Sequence, residues 1–193
     1  MKVTYSDLKN KRVFISGGGS GIGATIVEYF CEQKSEVYFI DIDLKSSNKL
    51  IKKIKKKGFR VPKFIECNIL DVKKLQNIIK DIISKKGAIH CLINSAANDD
   101  RHTTEQVDEK YWENRMGINL KHYFFAAQAV VKGMKKIKSG SIVNLSSVSW
   151  MLGEGDKVVY ETAKSAVVGL TRSFAQEFGK YNIRTNSVIP GSI

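Results

Sequence analysis

Proline is nearly missing from this sequence, with two in 193 residues, and no tract of biased composition occurs, which excludes a proline-rich linker or a low-complexity disordered chain. Cysteine is almost as scarce. Cys31, Cys67 and Cys91 are odd in number, far apart and never in a Cys-x-x-Cys pair, which argues against a disulfide framework and a zinc site and predicts a reduced, cytoplasmic setting. The only histidines, His90, His102 and His122, lack metal-ligand spacing, so no metal is expected. No run approaches the roughly 18 apolar residues of a membrane span. The first residues lead into charge without an apolar stretch, so no membrane partner is expected.

Acidic residues are also few, 19 against 32 Lys and Arg, giving a net charge of +13. Such an excess invites a nucleic-acid reading. Yet Lys52, Lys53, Lys55, Lys56 and Lys57 interrupt the helical spacing of Leu50, Ile51 and Ile54, and no aromatics interleave with them as a base-stacking platform. Solvated lysine-rich helix faces, the second around Lys135, Lys136 and Lys138, are the expectation, and no specific nucleic-acid partner.

What is present is ordinary globular material, 42% apolar and 26% charged, in a length that suits one core, so residues 1–193 are expected to form a single domain. Short β-branched runs alternate with longer stretches of 3.6-residue periodicity, the pattern of an α/β fold with a doubly wound parallel sheet. Strands are predicted over 12–16, 36–41, 61–66, 89–94, 141–146 and 183–189. Helices are predicted over 21–34, with Ile22, Ile26 and Phe30 inward, and over 46–57, 107–136 and 158–179. Another follows Asp71, which can cap it, and ends before Gly87.

Ser16-Gly17-Gly18-Gly19-Ser20-Gly21-Ile22-Gly23 lies between the first strand and first helix, where the positive end of a helix dipole can meet a pyrophosphate. Glycines there permit positive φ and close approach of backbone N–H groups to phosphate; the plainer reading is a structural turn. Asp41 follows Gly23 by 18 positions at the end of the second strand. A carboxylate there accepts hydrogen bonds from the adenosine ribose and repels a 2′-phosphate, predicting NAD over NADP. Asp43, past the strand, is the weaker candidate.

Tyr160 and Lys164 are spaced i,i+4 on a predicted helix, which places phenol and ammonium on one face. A nearby cation favours phenolate, so Tyr160 is expected to have a lowered pKa and to act as general acid and base. Alone, the pair could be an accident of a helix surface. Ser147, 13 residues before Tyr160 at the end of the fifth strand, strengthens it, because its hydroxyl can hold a substrate oxygen there. Trp150, Met151 and Leu152, between them, are candidate walls of a substrate pocket.

The glycine spacing Gly17-x-x-x-Gly21-x-Gly23, the serine strand Gly140 to Ser147, and the Tyr160/Lys164 pair resemble the short-chain dehydrogenase/reductase family along almost the whole chain. Ser16 replaces the family's usual threonine and keeps a hydroxyl. The resemblance implies sheet order 3-2-1-4-5-6, and an oxidoreductase moving a hydride between NAD(H) and a secondary alcohol or ketone. Hydroxyacyl, steroid and polyol compounds are candidate substrates. It implies a catalytic set of Asn119, Ser147, Tyr160 and Lys164, with Asn119 holding a relay water and Lys164 binding the nicotinamide ribose; read without it, Asn119 is a polar helix residue.

The implied cofactor contacts are Ser16, Gly17, Gly19, Ser20, Gly21, Ile22, Gly23, Asp41, Asn68, Ile69, Asn94, Ala96, Tyr160, Lys164, Pro190, Gly191 and Ile193. Ser20 stands where NADP-preferring relatives are often basic, in agreement with Asp41. Asn68 and Ile69 replace the usual Asp-Val beside the adenine, Asn94 would stabilise the sheet, and the backbone of Ile193 would face the nicotinamide carboxamide.

Family members usually continue past the Pro-Gly turn into a substrate-covering segment and a seventh strand, so a tail beyond Ile193 is expected in preference to a naturally truncated product. The wide apolar faces of 107–136 and 158–179 predict a homodimer or homotetramer. Rival expectations are a catalytically impaired dinucleotide-binding scaffold or regulatory protein lacking the lid and, further off, a basic nucleic-acid-binding protein.

Overall fold

A computed structural model describes residues 3–191. Six strands form one parallel sheet: β1 (Arg12–Ser16), β2 (Glu36–Asp41), β3 (Lys63–Glu66), β4 (Cys91–Asn94), β5 (Gly140–Leu145) and β6 (Ile183–Val188). Their order is β3-β2-β1-β4-β5-β6, as the resemblance implied. The chain reverses its direction of winding between β1 and β4, and the carboxyl ends of these strands open on the site.

Alternation along the strands assigns each sheet face its helices. Phe14, Tyr38, Ile40, Leu92 and Ile142 point to one side, against Leu75, Ile79 and Ile82 of α3 (Val72–Lys86) and Ala126, Val130 and Met134 further along the chain. Val13, Ile15, Val37 and Phe39 point to the other, against Val27 and Cys31 of α1 (Gly21–Glu32) and Leu50 and Ile54 of α2 (Leu44–Lys56). Each such aliphatic side chain contributes roughly 1.5–3 kcal/mol by leaving water.

Several boundaries differ from the sequence expectation, each for a local reason. α1 buries Gly23, Val27 and Cys31; Ile22 is exposed, with Ile26 and Phe30 flanking the buried stripe. The face is turned by one residue because Gly23 must lie flush against the Gly17 carbonyl, where a Cβ would come within 1.9 Å of its oxygen. β3 begins after Pro62, which has no N–H to donate. β4 begins after His90, whose Nδ1 accepts the Arg12 N–H at 3.0 Å. Asp71 caps α3 by accepting the Lys74 N–H at 2.8 Å, as expected, and Asp43 caps α2 through Ser46 at 2.9 Å.

The segment 107–136 is two helices rather than one, α4 (Glu109–Met116) and α5 (His122–Ile137), joined by a π turn over Gly117–Lys121. A short α6 (Ser149–Leu152) precedes the long α7 (Val158–Phe178). On the lysine face, Lys53 and Lys57 both grip Glu28, tying α2 to α1. The cysteines are free thiols, and burial pushes Cys31 and Cys91 up to about 12, which keeps them protonated. Among the described residues no helix is long and apolar enough to cross a membrane, and no group of three or more His, Cys, Asp or Glu could hold a metal ion.

Candidate functional site

The strand ends surround a cleft of about 1190 Å³ whose lining includes Gly17, Ser20, Gly21, Ile22, Gly23, Asp41, Asn68, Ile69, Ala96, Ser147, Tyr160, Lys164, Pro190 and Gly191. The turn after β1 enters with Gly17 at φ +69°, so close to the next strand's loop that a Cβ would stand 2.6 Å from Ala96 Cα. α1 then starts at Gly21 without a capping bond from the Ser20 side chain, leaving its first turn of backbone donors at the cleft wall. An added Cβ on Gly21 would meet only open space. A helix start bare of side chains, at the positive end of its dipole, fits the pyrophosphate of a dinucleotide.

Asp41 lies at the same wall, and its position is fixed: Oδ2 accepts the Gly19 N–H at 2.8 Å and Oδ1 the Asp43 N–H at 2.9 Å. Asn68 Oδ1 accepts the Leu70 N–H at 3.0 Å, bending the chain beside Ile69. Three expected contacts stand behind the cleft instead of lining it. Gly19 is one. The second is Ser16, fully buried, whose Oγ accepts the Ser95 and Ala96 N–H groups at 3.2 and 3.4 Å. The third is Asn94, which donates to Asn144 Oδ1 at 2.8 Å; Asn144 in turn donates to Thr171 Oγ1 at 3.0 Å, binding β4 to β5 and α7. Ile193 lies outside the described residues.

At the other end of the cleft, half-buried Tyr160 stands over Lys164, whose Nζ is 5.5 Å from the phenol ring centroid. The expected lowering of the Tyr160 pKa by Lys164 is not found. Burial pushes the phenol up, and the groups opposing that rise are the Ser147 hydroxyl and Lys157. Lys164, 1% exposed, spends its hydrogen bonds on Tyr123 Oη at 2.9 Å and the Leu145 carbonyl at 2.8 Å, and burial pulls it down to about 7.

Ser147 Oγ is 2.5 Å from Ser149 Oγ and accepts the Ser149 N–H at 3.2 Å. Asn119, fully buried on the π turn, accepts the Asn98 N–H through Oδ1 and donates through Nδ2 to the Asn98 carbonyl, both at 2.9 Å. It therefore clamps the loop after β4. Just beyond it, His122 Nε2 lies 3.4 Å from Ser16 Oγ, and burial holds the imidazole neutral with a pKa of about 3.

Sequence reasoning missed the contributions of Tyr123, His122 and His102. The imidazole of His102 accepts the Val159 N–H at 3.3 Å and so caps the first turn of α7. No local pattern announces such long-range partners. The expected wall of Trp150, Met151 and Leu152 is also absent from the cleft; Met151 and Leu152 are 56% and 66% exposed. The outer cleft is lined instead by Asn98, Asp99, Arg101, Glu154 and Lys157. Arg101 pairs with Asp156, and buried Lys157 lies 2.5 Å from Glu154. Gly153 and Gly155, at φ +65° and +82°, let the chain bend around Glu154.

Comparison with known proteins gives this geometry a context. A family model described as short chain dehydrogenase matches residues 11–193. A Rhizobium meliloti protein named Probable galactose dehydrogenase GalD is 39% identical over 189 residues, 98% of this chain and 74% of that one. The D-xylose 1-dehydrogenase of Caulobacter vibrioides is 40% identical over 190 residues, with the same shares of 98% and 74%. The ligand-free Thermoplasma acidophilum aldohexose dehydrogenase superposes with a TM-score of 0.85 at 29% identity, over 97% of this chain and 69% of that one.

Proposed function

Since the chain belongs to the short-chain dehydrogenase family, an oxidoreductase family that binds a nicotinamide dinucleotide, we propose that it oxidises a secondary carbinol of a neutral sugar with NAD, Tyr160 exchanging the proton. The observation that carries this reading is the shared cleft: the bare start of α1 and the Ser147, Tyr160 and Lys164 side chains line one cavity. The polar outer wall, together with the sugar dehydrogenases among the relatives, favours a polyhydroxylated substrate over a steroid or an acyl chain. Arg101 is paired with Asp156 and Lys157 with Glu154, while Asp99 adds negative charge to the lining, which disfavours a carboxylated sugar.

When bound, the dinucleotide supplies the two-electron acceptor that takes the carbinol hydrogen as hydride. The start of α1 would hold its pyrophosphate, Asp41 its adenosine ribose, and Lys164 its nicotinamide ribose. Asp41 and the small, neutral Ser20 favour NAD over NADP. Ser147 accepts from the Ser149 N–H and lies against the Ser149 hydroxyl, which can donate as well as accept; with Ser149 donating, the Ser147 O–H turns to the substrate oxygen. Tyr160 takes the proton from that oxygen as the carbonyl forms and returns it in the reverse direction.

Assay of the purified protein with NAD against D-galactose, D-xylose, their aldonic acids and simple secondary alcohols tests the proposal. Reduced nicotinamide should accumulate with the neutral sugars and more slowly with NADP. Tight NADH binding without oxidation of any alcohol would refute it in favour of a scaffold.

A further inference from the structure

The π turn and the first residues of α5 reach three walls of the cleft from one place. Asn119 holds Asn98, His122 approaches Ser16, and Tyr123 meets Lys164. Tyr123 is the least expected of the three. Its side chain is entirely buried, with Oη 2.9 Å from Lys164 Nζ and 2.9 Å from the Leu145 carbonyl oxygen, which itself accepts from Lys164 at 2.8 Å. The direction of these bonds follows from chemistry: an ammonium only donates and a carbonyl only accepts, so the Tyr123 O–H points to Leu145 and its lone pair to Lys164.

We propose that Tyr123 is a positioning residue, a fixed neutral acceptor that holds the Lys164 ammonium charged and aimed at the cofactor side of the cleft. The inference rests on the assignment of Lys164 to the nicotinamide ribose made above. Packing alone would be served by phenylalanine; a buried hydroxyl is stabilising only when both of its bonds are made, as here. Two of the three ammonium protons are committed to Tyr123 and Leu145, leaving one for a ligand.

The charged and titratable groups facing Lys164 explain why an acceptor is needed. From α7 comes Tyr160 and from α5 come Tyr123 and His122, all uncharged near neutrality because burial raises both phenols and lowers the imidazole. From the loop after β4 comes Asp99, which favours the ammonium but is exposed. Among the described residues no carboxylate forms an ion pair with Lys164. Burial, the largest influence on it, favours the neutral amine, so each neutral acceptor extends the pH range over which the charge persists.

The test is NADH affinity, read by fluorescence titration from pH 6 to 9, in the wild type, Tyr123→Phe and Tyr123→Gln, whose amide can both accept and donate. Loss of the acceptor should leave affinity at pH 6 within about twofold and weaken it by about fivefold or more near pH 8, with the alkaline limb of kcat/KM moved to lower pH and restored by glutamine. A folded Tyr123→Phe protein with the wild-type pH profile, or one weakened equally at every pH, overturns the proposal. Should Tyr123→Phe fail to fold, the glutamine variant carries the test: a normal pH profile supports the acceptor role, and a displaced one overturns it. Lys164→Met separates this inference from its premise, because wild-type turnover in that variant would remove the role of Lys164 itself.

Discussion

Asp41 shows how much a single residue can carry. Its carboxylate holds the Gly19 N–H of the glycine turn at 2.8 Å while standing at the cleft wall. Asp41→Ser should therefore lower the ratio of kcat/KM for NAD over NADP by at least about tenfold, equivalent to about 1.4 kcal/mol of discrimination; an unchanged ratio would remove Asp41 from cofactor selection. His122 yields a prediction of opposite character, because it concerns folding. The unfolded chain takes up a proton on this residue near 6.5 and the folded chain only near about 3. Between these values the unfolded state binds more protons, so stability falls as pH drops through that window, by about 1.4 kcal/mol per pH unit from this residue. Urea midpoints at pH 7 and 5 should converge in His122→Gln relative to the wild type, and parallel behaviour would contradict the assignment. The identities of Tyr160, Lys164 and Asp41 were legible from sequence because motif and spacing suffice to place them. The Tyr160 environment was not: i,i+4 spacing reports proximity on a helix, whereas the rise in its pKa comes from burial by distant segments.

At the scale of elements, α1 and the π turn set the site's geometry. Gly23→Ala would drive a methyl group to within 1.9 Å of the Gly17 carbonyl, separating helix from turn. It should cost about 1–3 kcal/mol in urea unfolding and abolish measurable NADH binding. Gly21→Ala meets no neighbour and should cost only the left-handed φ of +52°, about 1–2 kcal/mol, so equal NADH binding in the two variants would contradict this placement of the turn. The periodicity of α1 was visible but its buried stripe was off by one residue, since an apolar pattern scores Ile22 above the glycine that must touch backbone. The break at Gly117–Lys121 was invisible for a similar reason. Apolar spacing continues through it, and the bond that marks it, between Asn119 and Asn98, joins residues 21 positions apart.

At the scale of the whole molecule, a parallel sheet covered on both faces could be read in advance, because β-branched runs and helical periods alternate cleanly, whereas its strand order followed only from the family resemblance. The positive charge is spread over helix faces, and part of it has a structural use in the Glu28 grip of Lys53 and Lys57. Trp112 on α4, Phe124 on α5 and Val158 on α7 remain 38%, 41% and 38% exposed. Association through these helices predicts a dimer or tetramer in sedimentation at micromolar concentration, shifted toward monomer by Phe124→Asp; a monomeric wild type would contradict it. The measurement that bears most directly on the central claim is single-turnover oxidation of a neutral aldose by Tyr160→Phe with NAD saturating. The proton-exchange role of Tyr160 predicts a rate lower by about 10²–10⁴-fold with NADH affinity retained, whereas a rate equal to that of the wild type would contradict it.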